Sequence, residues 1–317
     1  MLIGGELLKN VLVSTVNMSN VDWLKYRNKG IGGSDVSILC GINKYKSAVE
    51  LWMEKTGQIE PKEAGEAAYW GTVMEPIIRK EFTSRTNLKV KIVKAILKHP
   101  KHSFMLANVD GIIKDPICGE CIFEAKTASV FKQNDWEDDR IPEEYTLQIQ
   151  HYMAVTGYNR TFIAVLIGGN QFKYKTIERD DELIEMIITL EANFWGHVLS
   201  NTPPELDGSQ ASSELLSRLY PESNNSKILL PEEAKGLIDQ YEIGKEKEKV
   251  AVEIKDEAVN KLKSLLGNNE CGVIEDRQIS WKSVTSERFD SKKFQAENAE
   301  VYKDYISKSS CRRFTIK

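Results

Sequence analysis

The stretch CIFEAKTAS, Cys121 to Ser129, decides how this chain is to be read. It has the texture of a buried β-strand into which an acid and a base have been set two residues apart. Successive side chains of a strand alternate between faces, so Ile122, Glu124 and Lys126 share one face, and Cys121, Phe123 and Ala125 share the other. Desolvating even a paired acid and base costs several kcal/mol, roughly, unless geometry and further partners offset it. A charged pair inside such a strand therefore calls for a chemical use. The triplet E-x-K says little by itself, since it occurs four times, at Glu60, Glu124, Glu233 and Glu253. Only Glu124 has strand-like neighbours.

Upstream, the apolar run LANVDGII carries Asp110, and the turn-forming stretch KDPICGE separates it from Glu124. A hairpin closed by that turn brings Asp110 beside Glu124. An aspartate, a glutamate and the backbone carbonyl of Ala125 make a hard oxygen cage of the kind that takes Mg²⁺ or Mn²⁺ and keeps several waters. Lys126 would then orient the attacking water or help deprotonate it, while the cation offsets charge on a phosphate in transfer. The plainer alternative is a salt-bridged hairpin with no chemistry.

The 317 residues suffice for one large domain, or for a core domain with an appendage, and the apolar content supports a real core. No run approaches the eighteen or so apolar residues of a membrane span. The opening MLIGGELLKNVLV lacks a basic segment followed by a small-residue cleavage site, so the expectation is a soluble, cytoplasmic protein with no membrane partner. Five cysteines (Cys40, Cys118, Cys121, Cys271, Cys311) do not make a disulfide framework in a chain this long, in keeping with a reducing compartment. A formal charge of −4 argues against coating nucleic acid through overall basicity. It leaves room for a DNA enzyme with a locally basic cleft. Candidate clusters are Lys25, Arg27 and Lys29; Lys44 and Lys46; and Lys89, Lys91, Lys94, Lys98 and Lys101, each of which also reads as a solvated face.

From about residue 20 to 205 helical and strand-like patterns alternate, which predicts a mixed α/β core. VDWLKYRNKG reads as a short helix closed by Gly30, and Ser34 as the N-cap of a helix through Val36 and Leu39. Residues 47 to 57 repeat that design with Ser47 as cap. A longer helix is expected around 71 to 86, with Ile77, Ile78 and Phe82, and another around 142 to 156. VKIVKAILKH, FMLANVDGII, CIFEAKTAS, RTFIAVLIGG and FKYKTIERD are the strand candidates. Past Asn201 the texture turns loop-rich, then charged and helical from Pro231 to Leu266. There Ala251, Ile254, Ala258, Leu262 and Leu265 form an apolar stripe expected to pack on the core or on a second chain. The boundaries that follow are a core at 1–205 and, at 206–317, an extension of linker, charged helix, strand pair and basic tail.

Asp110 followed by Glu124-Ala125-Lys126 resembles the D and E-x-K of the PD-(D/E)XK nucleases, whose restriction-endonuclease-like core is a mixed central sheet flanked by helices. Flanking motifs are similar to those of the YqaJ-like viral recombinases, relatives of phage lambda exonuclease. These are GIGGSDVSILCGINKYKSAVELWMEKTG, WGTVMEP, YTLQIQHYMAVTGY and, in the tail, PPELDGSQAS and ISWKSVTSERFD. The resemblance implies that Glu75 helps hold a second metal ion with Asp110 and Glu124, and that Gln148 lines the site. It places Tyr152 one turn after Gln148 on the same face, and sets Arg27 and Ser34 against a DNA 5′ phosphate. It further implies two Mg²⁺ ions, replaceable by Mn²⁺, and degradation of duplex DNA ends from 5′ to 3′. A single-strand annealing protein of the RecT or Bet type is the implied partner, and the implied assembly is a homo-oligomer, a ring trimer. Two alternatives stay open: a catalytically silent DNA-binding recombination subunit, and a generic Mg²⁺-dependent endonuclease.

Cys118-Gly-Glu-Cys121 is a C-x-x-C, yet no second such pair accompanies it, and it falls where the hairpin needs its turn. GGSD and IGGN lack the G-K-[ST] of a nucleotide phosphate loop. His151 and His197 fall in helical patterns and read as packing or solvated residues.

Overall fold

The computed structural model describes residues 10–61, 65–224, 226–307 and 312–316. Most of the N-terminal opening and Cys311 lie outside them. The chain divides into two compact units, Met1–Leu219 and Tyr220–Lys317. In order, the first contains β1 (Val11–Ser14), α1 (Asn20–Arg27), β2 (Ile31–Gly32), α2 (Val36–Leu39), α3 (Ala48–Lys55), α4 (Glu66–Thr86), β3 (Val90–Ile92) and β4 (Ala95–Lys98). It continues with β5 (Met105–Ala107), β6 (Gly111–Asp115), β7 (Gly119–Ala128), α5 (Glu143–Thr156), β8 (Arg160–Ile167), β9 (Gln171–Glu178), α6 (Asp181–Ser200) and α7 (Gln210–Leu219). This is the mixed α/β fold expected from the sequence.

Two sheets carry it. The larger has the order β3-β6-β7-β8-β9, and the smaller β1-β4-β5-β2. β6 and β7 form the expected antiparallel hairpin, with Gly111 opposite Phe123, and its turn is closed by Gly119 at a φ of +82°. α5 is the crossover that lets β8 lie parallel to β7, pairing Glu124 with Ile163 and Lys126 with Val165. Strand alternation sorts the two cores. Ile112, Ile122, Ile163 and Val165 face Ile149 and Met153 of α5, while Ile113, Phe123 and Phe162 face Ile78 and Phe82 of α4.

Two predicted strands are each divided. VKIVKAILKH becomes β3 in the larger sheet and β4 in the smaller, with Val93 buried at the crossing. FMLANVDGII likewise becomes β5 and β6, so Asp110 stands in the break between the sheets. A continuous apolar run looks the same whether it stays in one sheet or changes sheets, because both environments bury it. α4 starts five residues ahead of the expected 71, and Ile77, predicted for the core, is 54% exposed. Inside α4, Pro76 has no N–H for the Thr72 carbonyl, so the helix lacks one bond at the turn that carries Glu75. The unit runs on past residue 205 through α7, whose Ala211 and Leu215 are buried and whose Arg218 pairs with Glu50 at 2.6 Å.

The second unit holds α8 (Ala234–Leu266), the hairpin β10 (Cys271–Ile274) and β11 (Arg277–Ser280), α9 (Ser291–Glu297) and α10 (Ala299–Asp304). Within this unit Ile254 and Leu265 of the apolar stripe are exposed, and Leu266 is the buried residue of α8. Among the described residues no helix is long and apolar enough to cross a membrane.

Phe82 is fully buried, with its ring 5.0 Å from that of Phe123 and 5.7 Å from that of Phe162. Phe82→Ala should cost about 3–5 kcal/mol, read from urea unfolding. A loss below about 1 kcal/mol would mean that α4 does not clamp the sheet through this ring.

Candidate active site

The hairpin register fixes the centre of the site. Asp110 lies one residue ahead of β6, and its Oδ2 accepts the backbone N–H of Ala125 at 2.8 Å. This bond ties the two acidic segments together. Glu124 is buried, and its Oε1 accepts from Lys126 Nζ at 2.7 Å and from Gln148 Nε2 at 3.0 Å. Lys126 Nζ also donates to Gln148 Oε1 at 2.9 Å and stands over the Tyr145 ring, 4.8 Å from its centroid. Gln148 completes the ring by donating to the Tyr152 hydroxyl at 2.9 Å. The helix spacing of four that puts Gln148 and Tyr152 on one face is thus used as the sequence suggested.

Glu124 Oε2 is buried and has no hydrogen-bond partner. Burial pushes the Asp110 carboxyl well above the ordinary carboxylate range, and the charges of Glu124 and Glu75 push it further. Burial also raises Glu124, against the pull of Lys126. Lys126 is held above its ordinary value, because Glu124 outweighs the effect of burial. The acid group as a whole is short of positive charge, and an orphaned carboxylate oxygen is aimed into it. A hard divalent cation fits that donor set. Among the described residues no three His, Cys, Asp or Glu side chains are yet drawn together as a metal cluster. Glu75, on α4 along the same cleft, pairs with Arg79 at 2.8 Å.

Asp110 and Glu124 form a wall between two clefts. One, of about 430 Å³, is bounded by Glu75, Lys126, Tyr145 and the start of α4. The other, of about 230 Å³, is bounded by Arg27, Ser34, Trp23, Asn108 and Tyr152. Here the expectation for Ser34 needs correcting. Ser34 does not cap a helix; it lies inside a tight turn, Gly33–Asp35, that precedes the four-residue α2, and its hydroxyl accepts from Arg27 Nη2 at 2.7 Å. The closing contact belongs to Asp35, whose Oδ2 accepts the Gly32 N–H at 3.0 Å. Gly33 is required by contact, since a Cβ there would lie 2.6 Å from the Tyr152 ring.

The sequence reading missed the support beneath Arg27. Asp35 pairs with Arg27 at 3.2 Å and with the buried Lys55 at 3.0 Å, and Lys55 donates to the Arg27 carbonyl at 3.2 Å. Asp35 was in plain view beside Ser34, but Lys55 sits on a different helix and no local pattern links them. His151, read as a packing or solvated residue, is fully buried behind Gln148 and Tyr152. Its Nδ1 contacts Glu191 Oε1 at 2.6 Å and its Nε2 the Leu106 carbonyl at 2.8 Å. The Leu106 carbonyl can only accept, so Nε2 carries a proton, and Nδ1 and Glu191 share the other. Tyr145, Arg79 and Asn108 also went unremarked. The C-x-x-C pair sits at the far, turn end of the hairpin, where Cys118 faces Asp115 and Arg160.

Burial acts to raise the Asp35 carboxyl, but Lys55 and then Arg27 prevail and hold it far below the ordinary range. The stability it lends is therefore present above its unfolded value, about 3.9, and is lost as pH falls through the lower folded value. Asp35→Asn should cost on the order of 3 kcal/mol at pH 7 and lose its disadvantage on acidification well below pH ~4. Parallel acid unfolding of variant and parent, measured by urea titration at several pH values, would remove Asp35 as the source.

Residues 22–159 match the family model of the YqaJ-like viral recombinase domain. Over 312 residues the chain is 44% identical to the uncharacterized protein YqaJ of Bacillus subtilis (strain 168), with 97% of each chain covered. It is 25% identical over 146 residues to the uncharacterized protein R354 of Acanthamoeba polyphaga mimivirus, covering 43% of this chain and 26% of that one. Among solved structures it is similar to an alkaline exonuclease from Laribacter hongkongensis, at 21% identity and a TM-score of 0.49, over 63% of this chain and 98% of that one. The chain belongs to the YqaJ-like viral recombinase family.

Proposed function

We propose that the protein is a metal-dependent DNA exonuclease of phage or prophage type that degrades one strand of duplex DNA from its 5′ end, leaving a 3′ single strand for recombination. The observation that carries this reading is the common wall: Asp110 and Glu124 stand between the Lys126 cleft and a second cleft bounded by Arg27 and Ser34. A terminal 5′ phosphate held by the Arg27 guanidinium and the Ser34 hydroxyl would set the first scissile phosphate against the two acids. An enzyme built this way measures its cut from an end.

In this reading Asp110, Glu124, the Ala125 carbonyl and Glu75 would hold two Mg²⁺ ions, or Mn²⁺ in their place. Bound there, the cations supply charge compensation at the phosphate and a lowered pKa for the attacking water. Lys126, set by Glu124, Gln148 and the Tyr145 ring, turns an N–H towards that water and holds it in line. Gln148 keeps Lys126 and Glu124 apart from bulk solvent. Asp35 and Lys55 fix the direction of Arg27. By resemblance to the family, the released single strand passes to an annealing protein of the RecT or Bet type, and the chain assembles as a ring trimer. Four free cysteines among the described residues suit a cytoplasmic setting.

The test is incubation with Mg²⁺ and linear duplex labelled at either 5′ or 3′ ends, beside a closed circle. Early release of 5′ label and sparing of the circle are expected, and a chelator should stop the reaction. Glu124→Ala and Lys126→Ala should abolish cleavage while leaving DNA association largely intact. A 5′-phosphate end should be degraded faster than a 5′-hydroxyl end, and Arg27→Ala should reduce that preference tenfold or more, about 1.4 kcal/mol or above for a charge-assisted bond. Equal cutting of circles and ends would instead favour an endonuclease, and absence of cutting by a chain that still binds DNA would favour a silent subunit.

In calorimetry, Asp110→Ala should weaken Mn²⁺ binding more than Glu75→Ala, because Asp110 lies in both clefts and Glu75 in one. The reverse order would move the central ligand to α4.

A further inference from the structure

We infer that Lys89, Lys91 and Lys94 form a track for the phosphate backbone of duplex DNA at the mouth of the Asp110–Glu124 site. The inference rests on the nuclease reading above and names the surface by which the substrate is held.

Residues 87–109 contain five lysines and not one aspartate or glutamate, in a chain whose acids outnumber its lysines and arginines 47 to 43. Elsewhere in the first unit cations are commonly neutralised on the spot, as in Lys46–Glu54, Arg79–Glu75 and Arg85–Glu81. Lys89, Lys91 and Lys94 are exposed, and no carboxylate pairs with any of them among the described residues. A row of unneutralised charge attracts a polyanion, which gains by releasing counterions on contact.

The sheet register says where that row lies. β3 pairs antiparallel with β6, setting Lys91 opposite Ile112 and Ile92 opposite Gly111. Ile112 in turn faces Ile122 across β6 and β7, and Ile122 shares its side of the sheet with Glu124 and Lys126. Lys91 therefore projects on the same sheet face as the E-x-K pair, one diagonal step from Asp110. β3 and β6 also pack tightly, since a Cβ on Gly111 would lie 2.4 Å from Val90 Cγ1 and 3.0 Å from the Lys91 carbonyl. A side chain at 111 would therefore force β3 and β6 apart. β3 is the edge of its sheet, and among the described residues no further strand pairs with its outer side. Lys94 follows at the crossing into β4, whose next residues include Ile96, a wall of the Arg27 cleft.

Lys98 and Lys101 belong to the same carboxylate-free segment but lie elsewhere. Lys98 pairs with Leu106, and the chain then turns back at residues 99–104, away from the end of β5 that leads to Asp110. They provide an internal control from the same segment, two charges removed against three.

The experiment is binding of the full chain to a labelled linear duplex without divalent cation, at several salt concentrations. The slope of log K against log salt changes by about 0.9 for each phosphate neutralised. Lys89→Gln with Lys91→Gln and Lys94→Gln should lower its magnitude by roughly 2–3 units, whereas Lys98→Gln with Lys101→Gln should leave it unchanged. Thermal unfolding verifies the fold; if the triple variant is unfolded, Lys91→Glu gives the same reading, with an expected fall of about one unit or more. An unchanged slope in the triple variant, or an equal fall in the control pair, overturns the track. If the parent chain cuts linear DNA and the slope is unchanged, the track alone falls. If the slope falls as expected but nothing is cut with Mg²⁺, the track stands and the nuclease reading falls. A parent chain that holds no duplex overturns both.

Discussion

The hydrogen bond from the Ala125 N–H to the Asp110 carboxylate is the contact on which the site depends. It couples the residue before β6 to the middle of β7 and so fixes the one register in which Asp110 and Glu124 are neighbours. A slip of one residue would turn Glu124 and Lys126 towards Phe82 and α4, into an apolar core with no partner for either charge. The same slip would turn Phe123 towards Gln148. Packing on both faces of the sheet therefore enforces the geometry that the acids need, and the acids' bond to the backbone completes it.

Around that contact the site is under electrostatic tension. Asp110, Glu124 and Glu75 repel one another in a partly buried place, and the chain supplies one cation, Lys126, to the inner pair. Arg79 draws Glu75 to the side. Burying acids near one another in this way works against stability, which explains why the surrounding elements are so firmly built. α4 is locked by the Phe82 cluster, and α5 is pinned from behind by the His151–Glu191 pair. The Arg27 side shows the opposite balance, two cations on one carboxylate, Asp35, which leaves net positive charge facing a net negative wall across a small cleft. An anion that bridges the two walls satisfies one of them directly, and a cation is needed at the other.

How far the amino-acid sequence reaches is clearest where it stops. Glu124 and Lys126 were legible because strand periodicity is local, and Asp110 because a turn of recognisable composition links it to them. Gln148 was implied by the family resemblance, and helix spacing put Tyr152 on its face. Ser34 was misassigned as a helix cap, since the tight turn begins one residue earlier and Asp35 takes the closing bond. The stripe on α8 leaves Ile254 and Leu265 exposed within its unit, and amphipathic spacing does not name the surface that would cover them.

The sequence by itself determined the mixed α/β class, the β6–β7 hairpin, the E-x-K face and the helix that presents Gln148, all of which arise from periodicities of two or about four residues and from turn chemistry. Only the tertiary structure decided that two apolar runs change sheets, which leaves Asp110 in the gap between them. It alone brought Lys55 under Arg27 and Tyr145 against Lys126, and set Lys91 on the sheet face of the E-x-K pair. These contacts join residues whose separation along the chain carries no pattern. They form because burial closes the two sheets over α5, and whichever charged groups meet there must neutralise one another or wait for a ligand.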